Sequence, residues 1–315
     1  MVRIGIDAMG GDFAPRSTVL GAIAALENTG PDTELYLFGD RSSIEDIRTE
    51  AGAGSGTFFI VHCSETIGME EQAVSAYFRK NDSSIAVGFA SLAAGEIDAF
   101  VSAGNTGAML VASMSSLKMV ENMPRPCISV ELPLISGKKL LLLDVGFNAD
   151  CRPQMLFRFA GLGVAYARSV MGIGSPKVAL LNIGKEAGKG ASLYREAYAL
   201  LEDGCPGFSG NIEPDRIWTP GYDAPDVVVT DGFTGNIVLK QAESVYSVAK
   251  ARGITDSYLE QFNYEAYGGT PVLGVSAPVI IGHGISTPVA ISNMIFKAKK
   301  IVEGGLIEKL PIFAT

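Results

Sequence analysis

The chain has 315 residues, 47% of them hydrophobic and 19% charged, with a formal net charge of -9. That length allows one large α/β unit or two lobes, and so apolar a chain is not a disordered one. The acidic balance supplies no global positive field for a polyanion, which excludes non-specific nucleic-acid binding and means that an acidic partner needs a local basic patch.

From the N-terminus, Arg3–Asp7 is the first predicted strand. Asp7, Gly5, Gly10 and Gly11 stand where a signal peptide needs an unbroken apolar run, so secretion is not expected. The turn Asp7-Ala-Met-Gly-Gly-Asp12 leads through Pro15 into a helix whose Val19, Ile23 and Leu26 recur at i, i+4 and i+7. Glu34–Phe38, Phe58–Val61 and Ala99–Ser102 read as further strands. Ser102-Ala-Gly-Asn-Thr-Gly107 then joins a strand to an apolar helix, with glycines that permit close backbone approach. Leu140–Asp144 ends in Asp144-Val-Gly-Phe-Asn-Ala-Asp150, where Asp150 reads as a possible cap of the helix carrying Met155, Phe159, Leu162 and Tyr166.

Lys177–Asn182 is followed by Asn182-Ile-Gly-Lys-Glu-Ala-Gly-Lys-Gly190, a glycine-rich loop with two lysines. Asp226–Thr230 precedes Thr230-Asp-Gly-Phe-Thr-Gly-Asn236 and a helix. Gln241–Tyr264 is polar and weakly periodic, a surface excursion or an interface. From Ala266 to Phe296 no Asp, Glu, Lys or Arg occurs, but prolines and glycines suit that run to core rather than to a bilayer. It contains the strand Val279–Ile281, the turn Gly282-His-Gly-Ile-Ser286 and the start of a helix from about Pro288 to Val302 that ends near Lys297, Lys299 and Lys300.

Strands alternating with helices imply βαβ units and a mostly parallel sheet flanked by helices. Such sheets bind ligands beyond the carboxyl ends of their strands, where each of these turns falls. Of the two histidines, His283 is the site candidate and His62 reads as structural. Cys63, Cys127, Cys151 and Cys205 fit neither a disulfide framework nor a zinc site. The chain lacks G-x-x-x-x-G-K-[ST], G-x-G-x-x-G, G-x-S-x-G and H-E-x-x-H, which removes support for Walker ATPases, Rossmann dehydrogenases, serine esterases and zincins.

The five turns, taken in order with Arg125-Pro126, Asn211-Ile-Glu213, Tyr267-Gly-Gly-Thr-Pro-Val-Leu-Gly274 and His283-Gly-Ile-Ser286, resemble the bacterial acyl-ACP:phosphate acyltransferases of phospholipid synthesis. The resemblance runs from Arg3 to about Ser286. It implies an α/β Rossmann-like fold similar to the phosphotransacetylase and isopropylmalate-dehydrogenase-like folds, as a single acyltransferase domain or two lobes. Acyl-ACP and inorganic phosphate would give acyl phosphate, without metal or organic cofactor, in a cytoplasmic homodimer upstream of a glycerol-3-phosphate acyltransferase. Phe13 stands where a histidine is common and Phe147 where a small residue is. The stretch from Asn236 to Tyr267 is shorter than the helical insertion that family members use for dimer contact and attachment to the inner face of the membrane. Residues 241–264 also lack a sustained Lys/Arg-rich face, which leaves membrane contact open.

On this reading Asn105, Thr106, Gly107 and Asn236 form an anion cradle, and Gly10, Gly11, Asp12, Asn148, Gly184, Thr234 and Gly235 complete the substrate contacts. Lys185 neutralises phosphate, and either Asp231 or His283 orients it or takes its proton. Lys185, Lys189 and Arg195 form the basic surface for acidic ACP. Ala108–Met119 lines an acyl groove or simply packs the core. Two other classes stay in view. Ile4-Gly-Ile-Asp-Ala-Met-Gly-Gly and Leu143-Asp-Val-Gly-Phe-Asn superficially resemble the phosphate loops of actin-like sugar kinases, and a non-catalytic protein could bind phosphate or an acyl carrier.

Overall fold

The structure is a computed structural model that describes residues 1–219 and 224–310. Its elements begin with β1 (Val2–Asp7), α1 (Arg16–Thr29), β2 (Thr33–Gly39), α2 (Arg41–Glu50), β3 (Phe59–His62), α3 (Ala73–Arg79), α4 (Ser84–Ala93), β4 (Ala99–Ser102) and α5 (Thr106–Ser116). They continue with β5 (Cys127–Pro133), β6 (Lys139–Leu143), α6 (Pro153–Ser169), β7 (Val178–Leu181), α7 (Ser192–Gly204), β8 (Phe208–Ile212), β9 (Val227–Val229) and α8 (Gly232–Ala251). The last are α9 (Tyr264–Tyr267), β10 (Thr270–Leu273), β11 (Val279–Ile281) and α10 (Pro288–Glu303).

Two compact units divide these elements: Met1–Lys118 with Tyr264–Ile307, and Met119–Asn263 with the described residues from Glu308. In the first unit the strand order is β3-β2-β1-β4-β11-β10, with only the β10–β11 pair antiparallel. In the second it is β5-β6-β9-β7-β8, with only β5–β6 antiparallel. The chain is thus an α/β fold with mostly parallel sheets flanked by helices. Strands β4, β7, β9 and β11 are buried along their whole length, which is why they read as unbroken apolar runs rather than alternating ones.

Three strands escape the sequence reading. The buried strand β5 contains Glu131, which accepts hydrogen bonds from Tyr166 Oη at 2.6 Å and Lys139 Nζ at 3.1 Å. Strand β8 is Phe-Ser-Gly-Asn-Ile, poor in strand formers, and β10 contains Pro271, which cannot donate to a ladder.

Helix α1 forms as expected and buries Val19 of the expected face, but Thr18, Gly21, Ala22 and Ala25 are buried with it, whereas Ile23 and Leu26 are half-buried. The cause is close approach to α10: a Cβ on Gly21 would lie 2.6 Å from Ile291 Cβ and 2.7 Å from the Pro288 carbonyl oxygen. Small residues, not the largest ones, therefore mark this interface. Helix α6 buries Met155, Phe159, Leu162 and Tyr166 on the expected face, but its cap position is Arg152 and Asp150 lies outside it. Helix α8 absorbs the first part of the polar stretch Gln241–Tyr264, running to Ala251. No helix among the described residues is long and apolar enough to cross a membrane.

Candidate active site

In the first unit, β1, β4 and β11 are parallel neighbours, so the turns after them leave the sheet at one end. Glycine lets these turns touch. A Cβ on Gly10 would lie 2.7 Å from Gly104 N, and the Asp12 N–H donates to the Gly284 carbonyl at 2.7 Å. Beneath them Asp7 is buried and accepts from the Met9 N–H at 3.1 Å and from Ser102 Oγ at 2.6 Å. Burial raises the Asp7 pKa, while its hydrogen bonds to Ser102 and Ser84 work the other way. His283 lies against this turn cluster's aromatic side, with its ring 5.2 Å from Tyr264 and Nε2 3.4 Å from Tyr267 Oη.

Asn105 has a different task from the one its sequence suggests. Its Oδ1 accepts from the Ala108 N–H at 3.0 Å, capping α5, and its Nδ2 donates to the carbonyls of Gly68, Met69 and Glu71 at 3.0–3.2 Å. Both ends of the amide are committed, so Asn105 positions the turn instead of donating to an anion. The N–H groups of Thr106 and Gly107 remain without acceptors among the described residues, as the first turn of a helix leaves them. The inner side of α5, Ala108, Met109, Ala112 and Ser113, is buried, so the proposed acyl groove is there filled by core packing.

In the second unit, β6, β9 and β7 are parallel neighbours, and the turns after them again leave at one end. The Asp144 carboxylate is buried and collects five donors: Ile128 N at 3.1 Å, Gly146 N at 3.2 Å, Phe147 N at 3.1 Å, and Asn148 N and Nδ2 at 2.7 and 2.8 Å. Burial pushes its pKa up against those donors. Asn148 also donates to the Pro126 carbonyl at 2.8 Å, and its carbonyl oxygen accepts the Gly232 N–H at 2.7 Å. Asn236 is exposed, with its side chain beside Gly146.

Asp231 caps α8. Its Oδ1 accepts the Thr234 N–H at 2.9 Å and its Oδ2 accepts Thr234 Oγ1 at 2.8 Å and the Tyr194 hydroxyl. Tyr194, on the first turn of α7, was not legible as a site residue because 37 positions separate it from Asp231 and no local motif marks it. Burial, then its bond to Asp231, raises the Tyr194 pKa.

The lysine loop is also prebuilt. Asn182 Nδ2 donates to the Lys189 carbonyl at 3.2 Å, Asn211 Nδ2 to the Glu186 carbonyl at 2.9 Å, and Arg195 Nη1 to the Gly190 carbonyl at 2.6 Å. Arg195 therefore fastens the loop with one nitrogen while remaining an exposed cation. Gly184 is buried, Lys185 is exposed without an ion-pair partner among the described residues, and Lys189 Nζ lies 3.9 Å from Glu186. No group of three metal-ligating side chains occurs among the described residues. The sequence-derived residues thus fall into two clusters, Gly10, Gly11, Asp12, Asn105, Thr106, Gly107 and His283 in one unit, and Asn148, Gly184, Lys185, Lys189, Arg195, Asp231, Thr234, Gly235 and Asn236 in the other.

No cysteine is poised as a nucleophile. Burial pushes Cys63 and Cys151 up to about 12 and Cys205 up to about 11. The native protein at pH 8 is expected to resist iodoacetamide over an hour, whereas denatured protein is alkylated at all four thiols, as counted by intact mass spectrometry. Rapid native labelling of Cys151 would contradict this.

The chain matches the family described as "Fatty acid synthesis protein" over residues 2–309. It is 38% identical over 330 residues to the phosphate acyltransferase of Thermoanaerobacterium thermosaccharolyticum, covering 98% of this chain and 96% of that protein. It is 40% identical over 330 residues to the phosphate acyltransferase of Desulfitobacterium hafniense, with the same coverage. Among solved structures, a phosphotransacetylase from Streptococcus pyogenes is similar at a TM-score of 0.68 and 18% identity, covering 98% of this chain and 94% of the other, a likeness of fold.

Proposed function

Since this chain belongs to the fatty acid synthesis protein family, we propose that it transfers the acyl group of acyl-ACP to inorganic phosphate, giving acyl phosphate and free ACP. The observation that carries this reading is the ordered set of glycine turns at strand ends in a chain matched almost end to end by phosphate acyltransferases. The reaction needs no covalent enzyme intermediate. A phosphate oxygen attacks the thioester carbonyl carbon, a C–O bond forms, the C–S bond breaks, and the electron pair leaves on sulfur. A thiol of ordinary pKa about 8.5 leaves without strong acid assistance. The enzyme's work is then to position the phosphate and to stabilise charge on the carbonyl oxygen.

Each cluster is assigned its own task. In the first unit the N–H groups of Thr106 and Gly107, at the positive end of α5, are suited to receive an anion, with Gly10 and Gly11 keeping the backbone close. Asp231 takes the phosphate proton on Oδ1, the oxygen with one described donor rather than two, and returns it to the thiolate. His283, the other candidate for the proton, lies in the first unit beside Tyr264 and Tyr267. Lys185 lends positive charge to the phosphate.

Acidic ACP docks on Lys185 and Lys189, held outward by the pinned loop. Lys189→Glu is expected to raise the apparent KM for acyl-ACP about 5- to 10-fold while moving that for phosphate less than twofold, because a rim charge acts on association. Steady-state kinetics with each substrate varied checks it, and equal changes in both constants would sink the docking assignment. The product is a reactive mixed anhydride suited to a glycerol-3-phosphate acyltransferase, and the working form is a cytoplasmic homodimer.

The function is tested by free-thiol release from purified palmitoyl-ACP with and without phosphate, in the absence of ATP. Phosphate-dependent release supports it. An absolute requirement for ATP would transfer the reading to a kinase, which the family match does not favour, and phosphate binding without thioester cleavage to a binding protein.

A further inference from the structure

We propose that Tyr194 is a positioning residue that, with Thr234, clamps the Oδ2 oxygen of Asp231 and leaves Oδ1 as the oxygen that handles the proton. This rests on the role given to Asp231 above.

The Tyr194 hydroxyl donates to Asp231 Oδ2 and lies 3.2 Å from Thr230 Oγ1 and 3.3 Å from Thr234 Oγ1. Thr234 Oγ1 donates to the same Oδ2 at 2.8 Å. Two hydroxyls thus converge on one carboxylate oxygen, while the other accepts the Thr234 N–H at 2.9 Å. Capping of α8 needs only that Oδ1 contact. Thr234 alone already satisfies Oδ2, so the phenol adds a donor that the helix cap does not require. Carrying a hydroxyl into a half-buried site costs free energy that a phenylalanine ring would not. What the hydroxyl supplies is orientation. It comes from α7, a different element from the one that Asp231 caps, and so fixes the carboxylate plane from a second direction. Its raised pKa keeps the phenol protonated, hence a donor, across the neutral range.

The test is a double-mutant cycle in the full-length enzyme with palmitoyl-ACP and inorganic phosphate, comparing wild type, Tyr194→Phe, Asp231→Ala and the double variant. Tyr194→Phe is expected to lower kcat about 10- to 100-fold, the scale of a misplaced catalytic group, with KM for phosphate within about twofold. The double variant is expected to be no slower than Asp231→Ala, because a residue acting only through another has nothing left to orient. Site-specific 4-aminophenylalanine at 194, which keeps a donor, is expected to restore most of the loss. A merely structural tyrosine would instead lower the melting temperature, and its effect would multiply with that of Asp231→Ala. Wild-type kcat in Tyr194→Phe, or multiplicative losses, overturns the proposal while leaving Asp231 in place. Full activity in Asp231→Ala overturns both. If Tyr194→Phe does not fold, Thr234→Val enters the cycle as the variant that strips the other donor from Oδ2, with the same supporting and opposing outcomes.

Discussion

Replacing Asp231 with alanine is expected to lower kcat for phosphate-dependent thiol release by roughly 10²- to 10⁴-fold, the contribution of a well-placed acid–base group. The fold should survive the change. The carboxylate caps α8 through the Thr234 N–H, and loss of such a cap costs about 1 kcal/mol. Losing the carboxylate also frees the hydroxyls of Tyr194 and Thr234, which lie 3.3 Å apart and can bond one another or Thr230. Activity and stability therefore separate in this variant. The measurement pairs steady-state kinetics with a thermal melt. A kcat within threefold of wild type would remove Asp231 from the chemistry, and a collapse of the melt would make it a structural residue.

Gly235→Ala is expected to cost about 3 kcal/mol or more and to abolish activity with it, the upper range for overpacking a tight interior. An alanine Cβ there would sit 1.9 Å from the carbonyl oxygen of Asp144 and 3.0 Å from Thr230 Cγ2. Ordinarily a backbone could retreat. Here the Asp144 turn is fixed by five hydrogen bonds to its own carboxylate, and the start of α8 is tied to the same turn by the Gly232 N–H on the Asn148 carbonyl. Relief must come from moving α8, and Asp231 moves with it. Urea denaturation compared with wild type measures the effect. A midpoint shift equivalent to less than about 0.5 kcal/mol would show that the turn is softer than its hydrogen bonds indicate.

These two positions also show what could be read from the sequence. Gly235 and Asp231 were legible because a strand that ends in Asp-Gly-Phe-Thr-Gly-Asn must turn sharply, and glycine at such a turn signals close approach. The parallel strands were legible because burial on both faces leaves unbroken runs such as Val227–Val229. The missed strands broke that rule locally: Glu131 is a charge that finds its partners across β6 and α6, and Pro271 is a residue that strands seldom admit. Contacts distant in sequence were illegible for a different reason. Nothing around Tyr194 marks it as the neighbour of Asp231, and nothing around Asn105 reveals that three carbonyls between Gly68 and Glu71 claim its amide. Arg195 reads as a surface cation and is one, and only the folded loop shows that it also holds the Gly190 carbonyl. Likewise Val19, Ile23 and Leu26 are the obvious inward face of α1, yet of the three only Val19 is fully buried, because the close approach of α10 at Gly21 shifts the inward face.

Direct attack of a phosphate oxygen on the thioester carbon is tested by incubating the enzyme with palmitoyl-ACP and phosphate labelled with ¹⁸O at all four oxygens, without ATP, and weighing the acyl phosphate formed. Direct attack places all four labelled oxygens in the product, one of them bridging carbon and phosphorus. Acyl phosphate with three labelled oxygens, or unphosphorylated fatty acid as the sole product, would rule direct attack out.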